Sequence, residues 1–172
     1  MTIPKIIRRV SIVTIVVMIA FASTSSEVVR AVSPPIPVTT TDVTNDENDG
    51  HCDLYEALQA IFSQKSTGTP IVTYHECTAL AGVKNVIFEG TAAGGLISMP
   101  TGPGSLNLPM INDDVTITGP VILDGAEEKR IFSVAASGTL TLEGLTLQNG
   151  HTAGGGGAIL SSQSGKVNIL FS

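Results

Sequence analysis

Residues 115–125 (VTITGPVILDG) and 140–150 (LTLEGLTLQNG) align without a gap at an offset of 25 residues. Thr116 and Thr141, Gly119 and Gly144, and Gly125 and Gly150 are identical pairs. Apolar residues match at Val115/Leu140 and Ile117/Leu142 and, with a small shift of strand phase, at Ile122/Leu147. A third partial copy, Val167-Asn168-Ile169, begins 27 residues after Leu140. Self-similarity at such a period is the mark of a stacked solenoid. Within a copy the residues alternate, Val115 and Ile117 to one face and Thr116 and Thr118 to the other, as in a strand. Asp124-Gly125 and Asn149-Gly150 supply corners, because Gly, Asp and Asn tolerate the backbone angles of tight turns. One coil cannot bury its own apolar face, whereas stacked coils can. Strands of successive coils then pair in parallel, with Asp124 stacked against Asn149 as a carboxylate–amide corner ladder. The expected fold is mainly β: a right-handed parallel β-helix of about three coils over residues 83–172. A β-sandwich is the competing architecture, and the strict repeat weighs against it.

Composition agrees with a turn-rich exported protein. All but two of the 18 glycines lie from Gly82 onward. Of 172 residues only 14% are charged and 42% are hydrophobic, which excludes a highly charged disordered chain. Aromatic residues are 4%, Trp is absent and the net charge is -6. Neither base stacking nor phosphate-backbone binding is served by that composition, so nucleic acid is not an expected partner.

The N-terminus reads as an address. Lys5, Arg8 and Arg9 precede an uncharged run over 10–22 that ends in Ala20-Phe21-Ala22. That is a basic n-region, an apolar h-region and an A-x-A cleavage signal. The run is short of the ~20 apolar residues that a bilayer span needs, which favours cleavage over a retained anchor. Residues 1–22 are therefore a signal peptide, and the expected location is secreted or cell surface. Residues 23–41, with Pro34, Pro35 and Pro37 among Ser and Thr, read as an extended linker.

Residues 42–82 form a separate N-terminal cap. Leu54, Ala57, Leu58 and Ile61 define one apolar face, predicting a helix over 54–62. Asp53 precedes it and Glu56 follows three residues on, the pattern of a capping box. Residues 66–70 read as a loop. Cys52 and Cys77 are the only cysteines. In an oxidising compartment they are expected to pair, closing a loop worth about 3 kcal/mol. A zinc site drawing on these cysteines with His51 and His75 is the competing use, although the spacing fits no standard pattern.

The acidic stretch before the helix has two readings. Asn45, Glu47, Asp49, Gly50 and Glu56 fall at positions 1, 3, 5, 6 and 12 of a calcium-loop pattern. Asn at position 1 and Glu at position 3 depart from it, and Glu56 is also claimed by the capping box. The alternative is a solvated Asx-turn that leads into the helix. Calcium is the one cofactor these residues suggest; no other is expected.

Residues 52–58 (CDLYEAL) resemble the Cys-Ser-Leu-Arg-Glu-Ala-Ile motif of the CSLREA-domain family. Cys52, Leu54, Glu56 and Ala57 match, Leu58 is a conservative change, and Asp53 and Tyr55 depart. The resemblance implies an Asp/Asn-rich stretch before the motif, often a second cysteine after it, and a repetitive β-structure on a secreted bacterial protein. Residues 41–50, Cys77 and Val86-Ile87-Phe88 stand where those features belong. The coil repeat, with Leu145–Gly150 followed by Gly154–Gly157 and Ala158-Ile159, is similar to pectin-lyase-like β-helices and to adhesin-like bacterial surface proteins.

Catalysis on a β-helix needs acids clustered across neighbouring coils; glycoside hydrolysis needs two carboxylates flanking a cleft. Asp113 and Asp114 read as a turn before a strand, Asp124 as a corner, and residues 127–130 (EEKR) as a solvated loop. Glu143 and His151 have no partner readable from spacing. Gly154–Gly157 lack the Lys-Ser/Thr and helix of a phosphate loop and read as a coil corner. No catalytic residue is assigned. The expected function is a non-enzymatic surface module, adhesin-like or a scaffold, for an extracellular glycan or surface protein. A carbohydrate-active lyase or hydrolase, or a fragment of one, is the alternative. The apolar final residues, Ile169, Leu170 and Phe171, suggest an incomplete last coil and self-association through that end.

Overall fold

The structure, a computed structural model, describes residues 34–171. The expected signal peptide, residues 1–22, and residues 23–33 of the expected linker lie outside them. In chain order the elements are β1 (Ile36–Val38), α1 (Leu54–Thr67), β2 (Ile71–Tyr74), β3 (Cys77–Leu80), β4 (Asn85–Phe88), β5 (Leu96–Ser98), β6 (Asp114–Thr118), β7 (Ile122–Asp124), β8 (Phe132–Val134), β9 (Thr139–Glu143), β10 (Thr146–Gln148), β11 (Ile159–Ser161) and β12 (Lys166–Leu170).

Three parallel sheets run along the molecule. The first has the order β1-β4-β6-β9-β12, the second β10-β7-β5, and the third β11-β8, joined by a bridge from Ile111 to Val134. Each turn of the chain gives one strand or bridge to each sheet. The turns are β4–β5–Ile111, β6–β7–β8 and β9–β10–β11, and β12 opens the next. This is a parallel β-helix of about three turns. A sandwich would need antiparallel neighbours, and among the described residues only the β2–β3 hairpin is antiparallel.

The first sheet has the register of the repeat. Val115 lies opposite Leu140, Thr116 opposite Thr141 and Ile117 opposite Leu142. Val167 lies opposite Leu140, which is where the third copy was expected to begin. Val115, Ile117, Leu140 and Leu142 are buried, while Thr116 and Thr118 are half-exposed. Stacking like on like buries the apolar rows of β4, β6 and β9, while Ile169 on the outer strand β12 is exposed.

The second sheet departs from the ungapped alignment. Thr146 lies opposite Ile122, Leu147 opposite Leu123 and Gln148 opposite Asp124. Three residues, Gly119, Pro120 and Val121, join β6 to β7, but only Gly144 and Leu145 join β9 to β10. The extra residue shifts everything that follows by one place. Here a glycine is required: a Cβ on Gly119 would collide with the Gly144 backbone. The corner partner facing Asp124 in register is therefore Gln148, not Asn149. In the third sheet Ile159 lies opposite Phe132, and the glycine-rich segment 154–157 takes up the added length.

The end of the expected linker is corrected. Residues 36–38 are β1, paired with β4 so that Ile36 faces Val86 and Val38 faces Phe88. Ile36 and Val38 are buried. Pro37 between them is tolerated because β1 is an edge strand and a ladder bond is not demanded on its open side.

The cap helix begins as expected. The Asp53 side chain accepts the Glu56 N–H at 2.8 Å, and the Glu56 carboxylate accepts the Asp53 N–H at 3.3 Å, completing the capping box. The helix does not stop at Phe62 but continues to Thr67. Its polar last turns are held from outside the apolar face: Lys65 Nζ donates to the Asn112 carbonyl, and Gly68 closes the helix at φ 66°. Leu58, Ile61 and Phe62 border Pro109, Met110, Ile111 and Val115, so α1 packs onto the first turns of the β-helix. Cys52 and Cys77 form a disulfide, with Cα atoms 5.0 Å apart and both residues buried. It ties the residue before the helix cap to the start of β3.

Candidate functional site

Four of the six candidate coil acids, Asp113, Asp124, Glu128 and Glu143, are bonded into the frame. Asp113 accepts from Lys84 Nζ at 2.6 Å and from the Asp114 N–H at 2.9 Å. Burial alone would raise its pKa; the Lys84 bond, with the Asp114 N–H, outweighs this and holds it below the ordinary value. Asp124 accepts from Gln148 Nε2 at 2.8 Å, Asn149 Nδ2 at 3.1 Å and the Ala126 N–H at 2.7 Å. These bonds, Gln148 foremost, lower its pKa. Glu143 meets the Thr118 hydroxyl at 3.4 Å, and Glu128 accepts the Gly102 N–H at 3.3 Å. Asp114 opens β6 exposed, and Glu127 sits exposed at φ 58°. His151 is exposed beyond the Asn149-Gly150 corner.

The structure brings residues 128–130 into a cleft of about 440 Å³ on the flank of the coils. Asn107, Glu128, Lys129, Arg130, Ser133 and Thr152 supply its polar lining. The sequence suggested a freely solvated loop here. Lys129 and Arg130 are instead half-buried, because their head groups hold neighbouring loops. Lys129 Nζ lies 3.4 Å from both the Ser105 carbonyl and Asn107 Oδ1. Arg130 donates to the carbonyls of Gly155 and Gly156 at 2.8 and 3.1 Å, which fixes the glycine-rich corner. The cleft is thus lined by hydrogen-bonding groups, with Lys129 and Arg130 engaged to backbone carbonyls.

A second group sits in the cap. The β2–β3 hairpin turns on His75 and Glu76, with His75 at φ 49°. That conformation is uncommon for any residue but glycine. It brings His75 Nδ1 to 2.8 Å from Glu56 Oε1 and lays the imidazole on the Tyr74 ring, the centroids 4.4 Å apart. Ligand atoms of Glu56, His75 and Glu76 all lie within 4.8 Å of one another. Glu56 is 1% exposed and Asp53 likewise. Burial raises the pKa of both, against the hydrogen bonds each accepts.

The structure does not gather the four calcium-loop residues Asn45, Glu47, Asp49 and Glu56 at one point. Glu56 points inward to the capping box and His75, and Asn45 Oδ1 accepts the Tyr74 hydroxyl at 2.8 Å. Asp49 Oδ1 accepts the His51 N–H at 2.8 Å, an Asx-turn of the expected kind. Glu47 and Asp49 are exposed and do not gather with Glu56. The cysteine–histidine zinc reading fails as well, because a disulfide leaves no thiolate to bind metal. Glu76 was missed at the sequence level. Its signal was its place beside His75 in a short turn, but only the hairpin register brings that turn to Glu56.

Comparison with protein-family models, curated proteins and solved structures finds no match to this chain.

Proposed function

We propose that the chain is a secreted or cell-surface, non-enzymatic β-helix module, an adhesin-like element or extracellular scaffold. The observation that carries this reading is the use of the coil acids. Asp113, Asp124, Glu128 and Glu143 each hold a neighbouring strand, corner or loop through a hydrogen bond. Each of these bonds gives its carboxylate a part in holding neighbouring coils together, the role this reading assigns to it. The Cys52–Cys77 bridge suits an oxidising destination, as does the apolar run at 10–22. The likeness of residues 52–58 to the CSLREA motif points the same way.

The ligand class that fits the flank cleft is an extracellular glycan, bound through Asn107, Lys129 and Arg130. The test is a glycan array probed with the folded, disulfide-bonded chain, alongside cleavage assays on pectin-like and other acidic polysaccharides. Retention of a defined glycan set, lost in Lys129→Ala, supports the reading. Reproducible cleavage, abolished by Asp113→Asn or Asp124→Asn, overturns it in favour of a carbohydrate-active enzyme.

A further inference from the structure

We propose that Glu56, His75 and Glu76 form a binding site for a divalent transition-metal ion of the zinc class, which fastens the cap hairpin to the helix. The site is distinct from the calcium loop and from any use of the cysteines.

Charge is the first argument. Asp53 and Glu56 are almost fully buried, and Glu76, half-buried, approaches Glu56 through its turn. Glu76 Oε2 is buried and has no hydrogen-bond partner among the described residues. A carboxylate oxygen removed from water without a donor is costly. The one basic side chain in the group is His75, already facing Glu56 Oε1. A dication at this point draws on a Glu76 carboxylate oxygen and offsets the acids around it.

Geometry is the second. The capping box uses Glu56 Oε2, whereas Oε1 faces His75, so the helix cap and a metal draw on different oxygens. His75 offers Nδ1, and Glu76 offers a carboxylate oxygen within the same 4.8 Å span. Ligands at about 2.0–2.2 Å from a tetrahedral ion stand roughly 3.4 Å apart. The Nδ1–Oε1 pair at 2.8 Å needs only a small opening to admit one. One imidazole with carboxylates suits zinc or manganese, and a water completes the shell on the side where His75 is 17% exposed. The strained His75 backbone also gains a reason: glycine would relax the turn but supply no ligand.

Binding releases whatever proton Nδ1 carries and forms metal–ligand bonds to Nδ1 and two carboxylates, with no redox change. The test uses the untagged chain with its disulfide intact and zinc chloride as the probe. Calorimetry is expected to show one zinc per chain, with affinity at least about tenfold weaker in Glu76→Gln and in His75→Ala. Zinc should raise the melting temperature of the wild type but not of Glu76→Gln, whose melting in EDTA should match or exceed that of the wild type. Cobalt(II) on the unmodified chain provides a readout that needs no variant, through paramagnetic shifts of the His75 ring protons. Undisturbed His75 protons, no zinc binding up to about 100 µM, or equal binding by both variants would each overturn the proposal.

Discussion

In the coils, Val115, Ile117, Leu140 and Leu142 are buried by apolar side chains one rung away; in the cap, Asp53 and Glu56 are buried beside a disulfide and a histidine. The coils gain stability by repetition, since each rung supplies the same surface that the next rung covers. The cap has no repeat to lean on. Its short helix and hairpin are fixed by singular contacts: the capping box, the Cys52–Cys77 bridge and the Glu56–His75 pair. The loss of one coil contact is therefore shared along a ladder, while the loss of one cap contact removes a unique constraint.

The acids reverse sign between the two regions. In the cap, burial raises the pKa of Asp53 and Glu56; in the coils, hydrogen bonds leave Asp113 and Asp124 lowered. The only two tyrosines, Tyr55 and Tyr74, both lie in the cap, and there is no tryptophan. Tyrosine fluorescence thus reports on the cap, and far-UV circular dichroism is dominated by the coils.

The largest expected effect is in the coils. Leu140→Ala removes a fully buried side chain that stacks between Val115 and Val167. Truncations of this kind cost about 2–5 kcal/mol. Urea unfolding followed by circular dichroism should shift by that amount. An equal shift in tyrosine fluorescence would show that cap and coils unfold as one unit and would dissolve the distinction between them.

Next comes the bridge. Replacing both Cys52 and Cys77 by Ala opens a separation of 25 residues, worth about 3 kcal/mol by loop entropy. The tyrosine transition should move to lower urea, and the coil transition should move less. A cap that keeps its midpoint would show that helix packing alone holds it.

Smaller again is Asp53→Ala. It removes the acceptor for the Glu56 N–H and should cost the helix about 0.5–2 kcal/mol. The same residue sets a pH dependence. Burial raises the folded-state pKa of Asp53 and Glu56 above the unfolded value near 4. Their contribution is largest below that value and declines as pH rises through the raised folded values. Asp113 and Asp124 behave oppositely: their contribution is full above about pH 4 and is lost as pH falls through the lowered folded values. Urea midpoints across the acid range, read by the two probes, should move in opposite directions. Parallel movement would remove the electrostatic half of the comparison.

The smallest effect belongs to Lys84→Met. Its ion pair with Asp113 is partly exposed, at 33% and 17%. Such pairs are worth roughly 0–1 kcal/mol. Added salt should weaken the wild type by a similar amount and leave the variant unaffected; a salt-insensitive wild type would show the pair to be inert.

Residues 115–118 and 140–143 by themselves determined the β-helix. Period-two burial with like stacked on like is a local pattern with one economical solution, so the first sheet and its register were legible. Asp53 and Glu56 likewise announced the helix start, because a capping box closes within four residues. What tertiary structure decided was everything set by lengths and distant neighbours. The single extra residue at Gly119–Val121 moved Asp124 opposite Gln148. Ile36 and Val38, in a stretch that reads as linker, became a strand because β4 offered an open edge to pair with. The helix ran past its apolar face to Thr67, and its Lys65 meets the Asn112 carbonyl of a distant loop. His75 and Glu76 reached Glu56 only through the hairpin pairing of β2 with β3. Local sequence fixes backbone preferences and alternation, which act over a few residues. Which side chains then meet depends on loop length and sheet register, and these are settled only when the whole stack closes.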